Sequence, residues 1–191
     1  MKEKNRISVS QITLTALMAA LLCVTGPLSL PIPISPVPLS LATMAVCLSA
    51  CILGWKLGTM SVLIYLLMGF CGLPVFSNFS GGPAKLAGPT GGYLLGYLFL
   101  ALIAGWFFSR FSHPALRMAG MILGTAVCYL FGTLWLCFQA GLSLKQGLVM
   151  GVIPYIPGDL VKMLLVLYLG PAINKRLRSS GIMGQEKEPD Q

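Results

Sequence analysis

Charged residues are scarce in this sequence. Asp, Glu, Lys and Arg make up only 9% of the 191 residues, whereas 56% are apolar. A soluble domain carries roughly a quarter charged residues, which form the polar shell that this chain lacks. The mean hydropathy of +0.84 therefore predicts an integral membrane protein in contact with the lipid bilayer. The net charge of +8 does not indicate nucleic-acid binding, because the basic residues are scattered singly between apolar runs.

The sequence also has little of the chemistry that metal sites and active sites need. It contains one histidine, His113, and its six cysteines form no CxxC pair, so no common zinc pattern is present. His113 is predicted to lie on the side of the membrane opposite Ser80 and Asp159, so no nucleophile and base converge. There is also no GxxxxGK[ST] nucleotide-binding loop. We therefore expect neither an enzyme nor a resident metal or cofactor.

Apolar runs long enough for membrane helices dominate what is present. We predict an all-α integral membrane protein, a compact bundle of six transmembrane helices in one substrate-binding domain over residues 1–178. The polar residues 179–191 are predicted to form a disordered cytoplasmic tail. The second and third helices are short and hinged at Gly54, Trp55 and Lys56. The six predicted helices are Ile7–Thr25, Leu39–Leu53, Trp55–Phe70, Gly91–Arg110, Pro114–Gln139 and Gly158–Ile173.

Three connections between these helices are rich in Pro, Gly or Ser. They are Gly26–Pro38, Cys71–Thr90 and Ala140–Pro157. Proline has no amide donor and fixes φ, so we expect the first connection to be an extended loop and the others to be irregular. Apolar non-helical backbone is tolerated at membrane depth only when protein buries it or when it lines a cavity. The three loops are therefore candidates for covering a binding pocket.

Basic residues predict the orientation in the membrane. An even number of helices places both termini on one side, and that side carries ten Lys and Arg residues, whereas the opposite side carries only Lys85 and Lys145. By the positive-inside rule, both termini are expected in the cytoplasm of a cell with this protein in its plasma membrane. The three loops then face the outside.

One pair of charges, Asp159 and Lys162, lies within a predicted membrane span. Charges in such a position are costly and indicate function by default. Three residues apart on a helix, they share one face. Asp159 could simply cap the last helix, with Lys162 neutralising it. Alternatively, the pair faces a pocket, where Asp159 accepts from N–H donors and Lys162 or the helix end binds a carboxylate.

Three motifs carry a family resemblance: GLPVFSNFSGG (Gly72–Gly82), GPTGGYLLGY (Gly88–Tyr97) and IPGDLVK (Ile156–Lys162). Together they resemble the biotin-uptake S components of energy-coupling-factor transporters, the BioY family, over nearly the whole chain. The resemblance implies a protein that binds biotin outside the cell. It also implies docking on a membrane-embedded coupling subunit that works with two cytoplasmic ATPase subunits. The alternative is a self-sufficient carrier for biotin or a related small carboxylate.

The resemblance also implies roles for individual residues. Asp159 and Lys162 become polar ligand contacts, the region of Ser80 closes over the biotin rings, and Tyr93 packs beside them. Asn78 stands where many relatives have Gly, so it is either an added contact or a turn residue. The ureido N–H groups of biotin suit the Asp159 carboxylate, and its valerate carboxylate suits the Lys162 ammonium.

Ala16 and Ala20 have the small-xxx-small spacing that permits close helix approach in lipid. In S components this spacing on the first helix is implied to form the docking face for the coupling subunit. Packing within the bundle is an equally good explanation, because other pairs have the same spacing. These are Ala115 with Ala119, Gly120 with Gly124, and Gly92 with Gly96.

Overall fold

Helices make up most of the chain in the computed structural model, which describes residues 8–30 and 37–181. The predicted start of the first helix at Ile7, residues 31–36 of the first loop and residues 182–191 of the tail lie outside this part. The helices are α1 (Val9–Thr25), α2 (Ala42–Phe70), α3 (Pro83–Ala87), α4 (Gly91–Arg110), α5 (Pro114–Ala140), α6 (Leu144–Gly151) and α7 (Ile156–Ser179), with a 3-10 turn at Ile153–Tyr155. Two short antiparallel strands, β1 (Ser29–Leu30) and β2 (Leu39–Ser40), pair Ser29 with Ser40.

The helical architecture agrees with a membrane protein. Four stretches of the described residues are long and apolar enough to cross a bilayer: α2, α4, α5 and the continuous segment Leu144–Ser179. The helix α1 is apolar but has only 17 residues. Many large apolar side chains are exposed, among them Leu130, Leu164 and Tyr168. This outer surface suits lipid better than water.

The long helix α2 breaks at Gly54, which confirms the predicted hinge. Gly54 has φ 71° and ψ −171°, a conformation that glycine adopts readily and that no helix continues through. The two arms fold against each other, and the hydroxyls of Ser49 and Ser61 form a hydrogen bond of 2.6 Å between them. A Cβ atom added at Gly105 of α4 would lie 2.6 Å from the Cα of Trp55. The break is therefore held tightly against α4.

The predicted third connection is wrong in part, because residues 144–151 form the helix α6. Ser143 and Gln146 make a capping box at its start, a signal that favours a helix despite the neighbouring glycines. The last helix begins at Ile156 and not at Gly158, since Pro157 fits the first turn of a helix. The second connection likewise contains the short helix α3. Leu39, predicted to start a helix, belongs to β2 instead.

Small residues bring α4 and α5 close together in the core. A Cβ atom added at Gly96 would lie 3.1 Å from the Cα of Cys128, and one added at Gly124 would lie 3.1 Å from the carbonyl oxygen of Leu100. The arms of α2 pack on the other side of α4 around the buried side chains of Tyr65 and Phe76. This packing places the first turn of α4 near β2, so that Ser40, Tyr93 and Leu94 line the same cavity.

Candidate functional site

A buried ion pair joins α7 to its neighbours. The ammonium of Lys162 donates to Oδ1 of Asp159 at 2.8 Å, and only 5% of Asp159 and 8% of Lys162 is exposed. Asp159 lies in the first turn of α7 and Lys162 lies one turn further along. The predicted shared face is confirmed.

Neutral polar groups from two other elements complete this network. The Lys162 ammonium also donates to the backbone carbonyl of Ser40 in β2 (2.8 Å) and to Oγ1 of Thr43 in α2 (3.2 Å). Asp159 accepts a hydrogen bond from the Thr43 hydroxyl (3.1 Å) and another from the Tyr129 hydroxyl of α5. All three N–H donors of the ammonium therefore have partners. The hydrogen bonds described for the Asp159 carboxylate come from side chains and not from backbone N–H groups of its own helix, so Asp159 links α7 to α2 and α5.

A small central cavity lies next to the network, under β2 and the first turn of α4. Its volume is about 20 Å³, which is room for roughly one water molecule. Ser40 lies in its wall and also contributes the carbonyl that accepts from Lys162. The lining includes three tyrosines and two further hydroxyl side chains: Tyr65, Tyr93, Tyr97, Ser77 and Thr90. The cavity therefore combines aromatic walls with convergent polar groups, as ligand sites commonly do.

Tyr93, predicted to pack beside the ligand, lines this cavity. Its hydroxyl bonds with Oγ1 of Thr133 and donates to the carbonyl of Gly151, both at 3.1 Å. The hydroxyl therefore ties α4 to α5 and α6. The ring is the part of Tyr93 that a ligand in the cavity would contact.

Ser80 and Asn78 lie in the tight hairpin between Phe76 and Ser80. The Ser80 hydroxyl donates to the carbonyl of Ser77 at 2.6 Å, and of these two serines only Ser77 lines the cavity as the structure describes it. Asn78 has φ 60°, so it is a turn residue. Its side-chain carbonyl accepts from the Ser29 hydroxyl at 3.0 Å, and its backbone N–H donates back to that hydroxyl at 3.1 Å. Asn78 therefore connects this loop to β1.

A second, larger cavity lies between α5, α6 and α7 on the far side of Asp159. It measures about 620 Å³, and its walls are almost entirely apolar. Several of its lining residues, including Leu130, Leu134 and Leu148, are exposed on the outer surface. Asp159 and Tyr129 are at its inner wall. This groove offers little polar recognition, in contrast with the central cavity.

Four polar residues of the site were not predicted from the sequence: Ser40, Thr43, Tyr129 and Thr90. Neutral polar residues are common in apolar helices, so Thr43 and Tyr129 give no signal before the fold is known. Thr90 lies within the motif GPTGGYLLGY, which could have indicated it. Its hydroxyl oxygen is buried and has no hydrogen-bond partner in the described part of the chain.

Comparisons with known proteins agree with this architecture. The BioY family profile matches residues 1–179. The chain belongs to the BioY family. It is 38% identical to the probable biotin transporter BioY of Pyrococcus horikoshii, over 82% of this chain and 91% of that protein. It is 36% identical to the biotin transporter BioY of Thermotoga maritima, over 75% and 85% of the two chains.

A solved structure of the S-component for biotin from an ECF-type ABC transporter has the same fold. The TM-score is 0.80 at 31% identity, and the match covers 93% of this chain and 95% of the other. The relatives and this structural neighbour are transport proteins. This BioY protein is accordingly a membrane transport protein and not an enzyme.

Proposed function

We propose that this BioY protein captures biotin outside the cell and acts as the S component of an energy-coupling-factor transporter. The observation that carries the proposal is the buried Asp159–Lys162 network beside a cavity lined by Ser40 and Tyr93. A charge pair this deeply buried gains little stability over apolar residues, so a role in ligand recognition explains its presence better.

The ureido group of biotin matches the partners already bound to the charge pair. Its N–H groups can replace the Thr43 hydroxyl as donors to Asp159, and its carbonyl can replace that of Ser40 as an acceptor from Lys162. Each exchange keeps the buried charges hydrogen-bonded. Biotin is many times larger than one water molecule, so the walls of the cavity must move apart for biotin to enter. Tyr93 then packs its ring against the ligand, while the hairpin that contains Ser80 and Asn78 closes above it.

For the membrane arrangement, we infer six spans, with the two arms of α2 counted separately. The spans are α1, residues 42–53, residues 55–70, α4, α5 and α7. Both termini then lie in the cytoplasm together with Lys56, Arg110 and Arg117, as the positive-inside rule requires. The first loop, the hairpin that contains Asn78, and α6 face outside.

The partners implied by this function are a membrane-embedded coupling subunit and two cytoplasmic ATPase subunits. Ala16 and Ala20 are exposed on α1, so they are free to contact another protein. The small residues Gly92, Gly96 and Gly124 are instead buried between α4 and α5. This difference favours docking over internal packing as the role of Ala16 and Ala20.

Isothermal titration of the detergent-purified protein tests the proposed ligand. We expect saturable binding of one biotin per chain. Lipoic acid is a matched control, because it carries the same valerate tail but no ureido group. It should bind at least about 100-fold more weakly, since it lacks the ureido N–H and carbonyl groups that bond to Asp159 and Lys162. Absence of biotin binding, or equal affinity for both ligands, would contradict the proposal.

A further inference from the structure

We propose that Thr90 and the first turn of α4 form the second polar end of the biotin cavity and bind the carboxylate of the ligand. This inference rests on the proposed function. It moves the carboxylate away from Lys162, where the chemistry of the residues alone had placed it. Three observations carry it.

The first observation is the state of the Thr90 hydroxyl. Thr90 lines the central cavity and is 7% exposed, and its Oγ1 has no hydrogen-bond partner among the described residues. Thr90 stands at the N-cap of α4, but its side chain does not bond to that helix. Buried polar groups in folded proteins nearly always have partners. A ligand in the cavity supplies the partner that the protein lacks.

The second observation is the electrostatic character of this end of the cavity. Thr90 is the N-cap of the 20-residue helix α4, and Tyr93 and Leu94 lie at its first turn; all three line the cavity. No acidic residue occupies this turn. The helix dipole is positive at its N-terminus and favours an anion there. A carboxylate gains from the dipole in addition to a hydrogen bond donated by Thr90.

The third observation is that the charge of Lys162 is already balanced by the carboxylate of Asp159. The three N–H groups of Lys162 are bound to Asp159, Ser40 and Thr43. The pair as a whole is neutral, so it offers an anion less attraction than an isolated lysine does. Ser40 and Thr90 both line the cavity, which therefore has one polar end at the charge pair and one at α4. Biotin then occupies both polar ends, with its ureido group at the charge pair and its carboxylate at α4.

The test compares two ligands on three variants. Biotinol has the biotin carboxylate replaced by a neutral alcohol. Thr90→Val removes the hydroxyl while keeping the shape, and Thr90→Ser keeps the hydroxyl. Thr15→Val is the matched control, because Thr15 is 6% exposed but its hydroxyl bonds within α1, to the carbonyl of Gln11.

We expect Thr90→Val to weaken biotin binding by about 10- to 100-fold, the effect of losing one hydrogen bond to a charged group. Biotinol binding should weaken less, by about two- to tenfold, because the hydrogen bond that it loses is to a neutral hydroxyl. Thr90→Ser and Thr15→Val should bind both ligands as the unmodified protein does. Without ligand, Thr90→Val should melt at the same or a higher temperature, since it removes an unpaired buried hydroxyl.

Two results would overturn the inference while leaving the proposed function intact. One is unchanged biotin affinity in Thr90→Val. The other is an equal loss for biotin and biotinol, which would place the Thr90 contact away from the carboxylate. Failure of the unmodified protein to bind biotin would instead contradict the proposed function itself. If Thr90→Val is not monodisperse after purification, Thr90→Ala replaces it with the same expected ligand difference.

Discussion

In the proposed function, ligand recognition depends on Asp159 and Lys162. Burying two charges costs more than their mutual attraction returns unless further hydrogen bonds complete the pair. Thr43, Ser40 and Tyr129 supply these bonds. Because the partners are neutral, biotin can replace them without leaving a charge unpaired. Stability and binding thus draw on the same two residues, and single substitutions cannot separate the two roles.

A double variant separates them. Asp159→Asn and Lys162→Met should each weaken biotin binding by about 30-fold or more, since each leaves a buried charge without its partner. The combination of Asp159→Asn with Lys162→Met removes both charges, so the protein should regain thermal stability. Its biotin affinity should stay low, because the ligand contacts are gone. Titration and thermal unfolding of all three variants give the comparison, and near-native affinity in the double variant would mean that the pair is only structural.

Sequence patterns reveal some of these residues and hide others. Asp159 and Lys162 could be predicted, because two charges in an apolar stretch are conspicuous and their spacing fixes a shared face. Thr43 and Tyr129 could not, because their contacts depend on how α2 and α5 pack against α7. The backbone carbonyl of Ser40, which accepts from Lys162, could not be predicted either, because it comes from a distant part of the chain.

Two of the loops that we place outside the cell are connected by the hydrogen bonds between Asn78 and Ser29. Asn78→Gly removes the side-chain bond while relieving the positive φ of this position. We expect biotin to dissociate several-fold faster, since the closed loop loses a contact, with little change in thermal stability. Ser29→Ala is the matched variant, because it removes that bond from the other side together with the bond donated by the Asn78 backbone N–H. Stopped-flow measurement of biotin release checks both.

Two outcomes would contradict the claim that the contact between Asn78 and Ser29 slows biotin release. Unchanged release in both variants would make the contact incidental. A loss of affinity in Asn78→Gly alone would mean that Asn78 contacts the ligand directly, which is the other role that the sequence left open.

The helix α1 presents the proposed docking face. Trp at Ala16 or Ala20 should block close approach of a coupling subunit, while biotin binding to the isolated protein stays unchanged because both side chains face outward. We expect Ala16→Trp and Ala20→Trp to reduce ATP-driven biotin uptake at least about tenfold, as loss of a central interface contact does. Leu123→Trp on the exposed surface of α5 is the control. Uptake at the control level in both α1 variants would contradict this docking face.

Helix positions follow closely from the apolar runs, but the ends and the connections do not. The hinge at Gly54 could be predicted, because a charged residue, a glycine and a tryptophan interrupt two short apolar runs. The helix α6 was not predicted, because Gly and Pro residues surround it, although Ser143 and Gln146 carry a capping signal. Leu39 and Ser40 pair with β1 because the first loop folds back, a contact between segments that local patterns do not contain.

The whole molecule has a predicted orientation that cysteine labelling can test. Cys71 is exposed after α2, on the side that we place outside the cell. A membrane-impermeant maleimide should label Cys71 in intact cells. Ser180→Cys in a Cys71→Ser, Cys137→Ser background should react only after permeabilisation, because residue 180 follows α7 on the cytoplasmic side. Labelling of Ser180→Cys in intact cells would reverse the topology.

For the molecule as a whole, the central claim is that this chain alone binds biotin but does not accumulate it across the membrane. The chain has the charge pair and cavity for a ligand but no GxxxxGK[ST] loop. The most direct test reconstitutes the purified protein alone in liposomes and measures labelled biotin bound and enclosed. We predict saturable binding of at most one biotin per chain and no accumulation in the lumen until the coupling subunit, its ATPases and ATP are added. Accumulation by this chain alone, driven by an ion gradient, would contradict the account and make the protein a self-sufficient carrier.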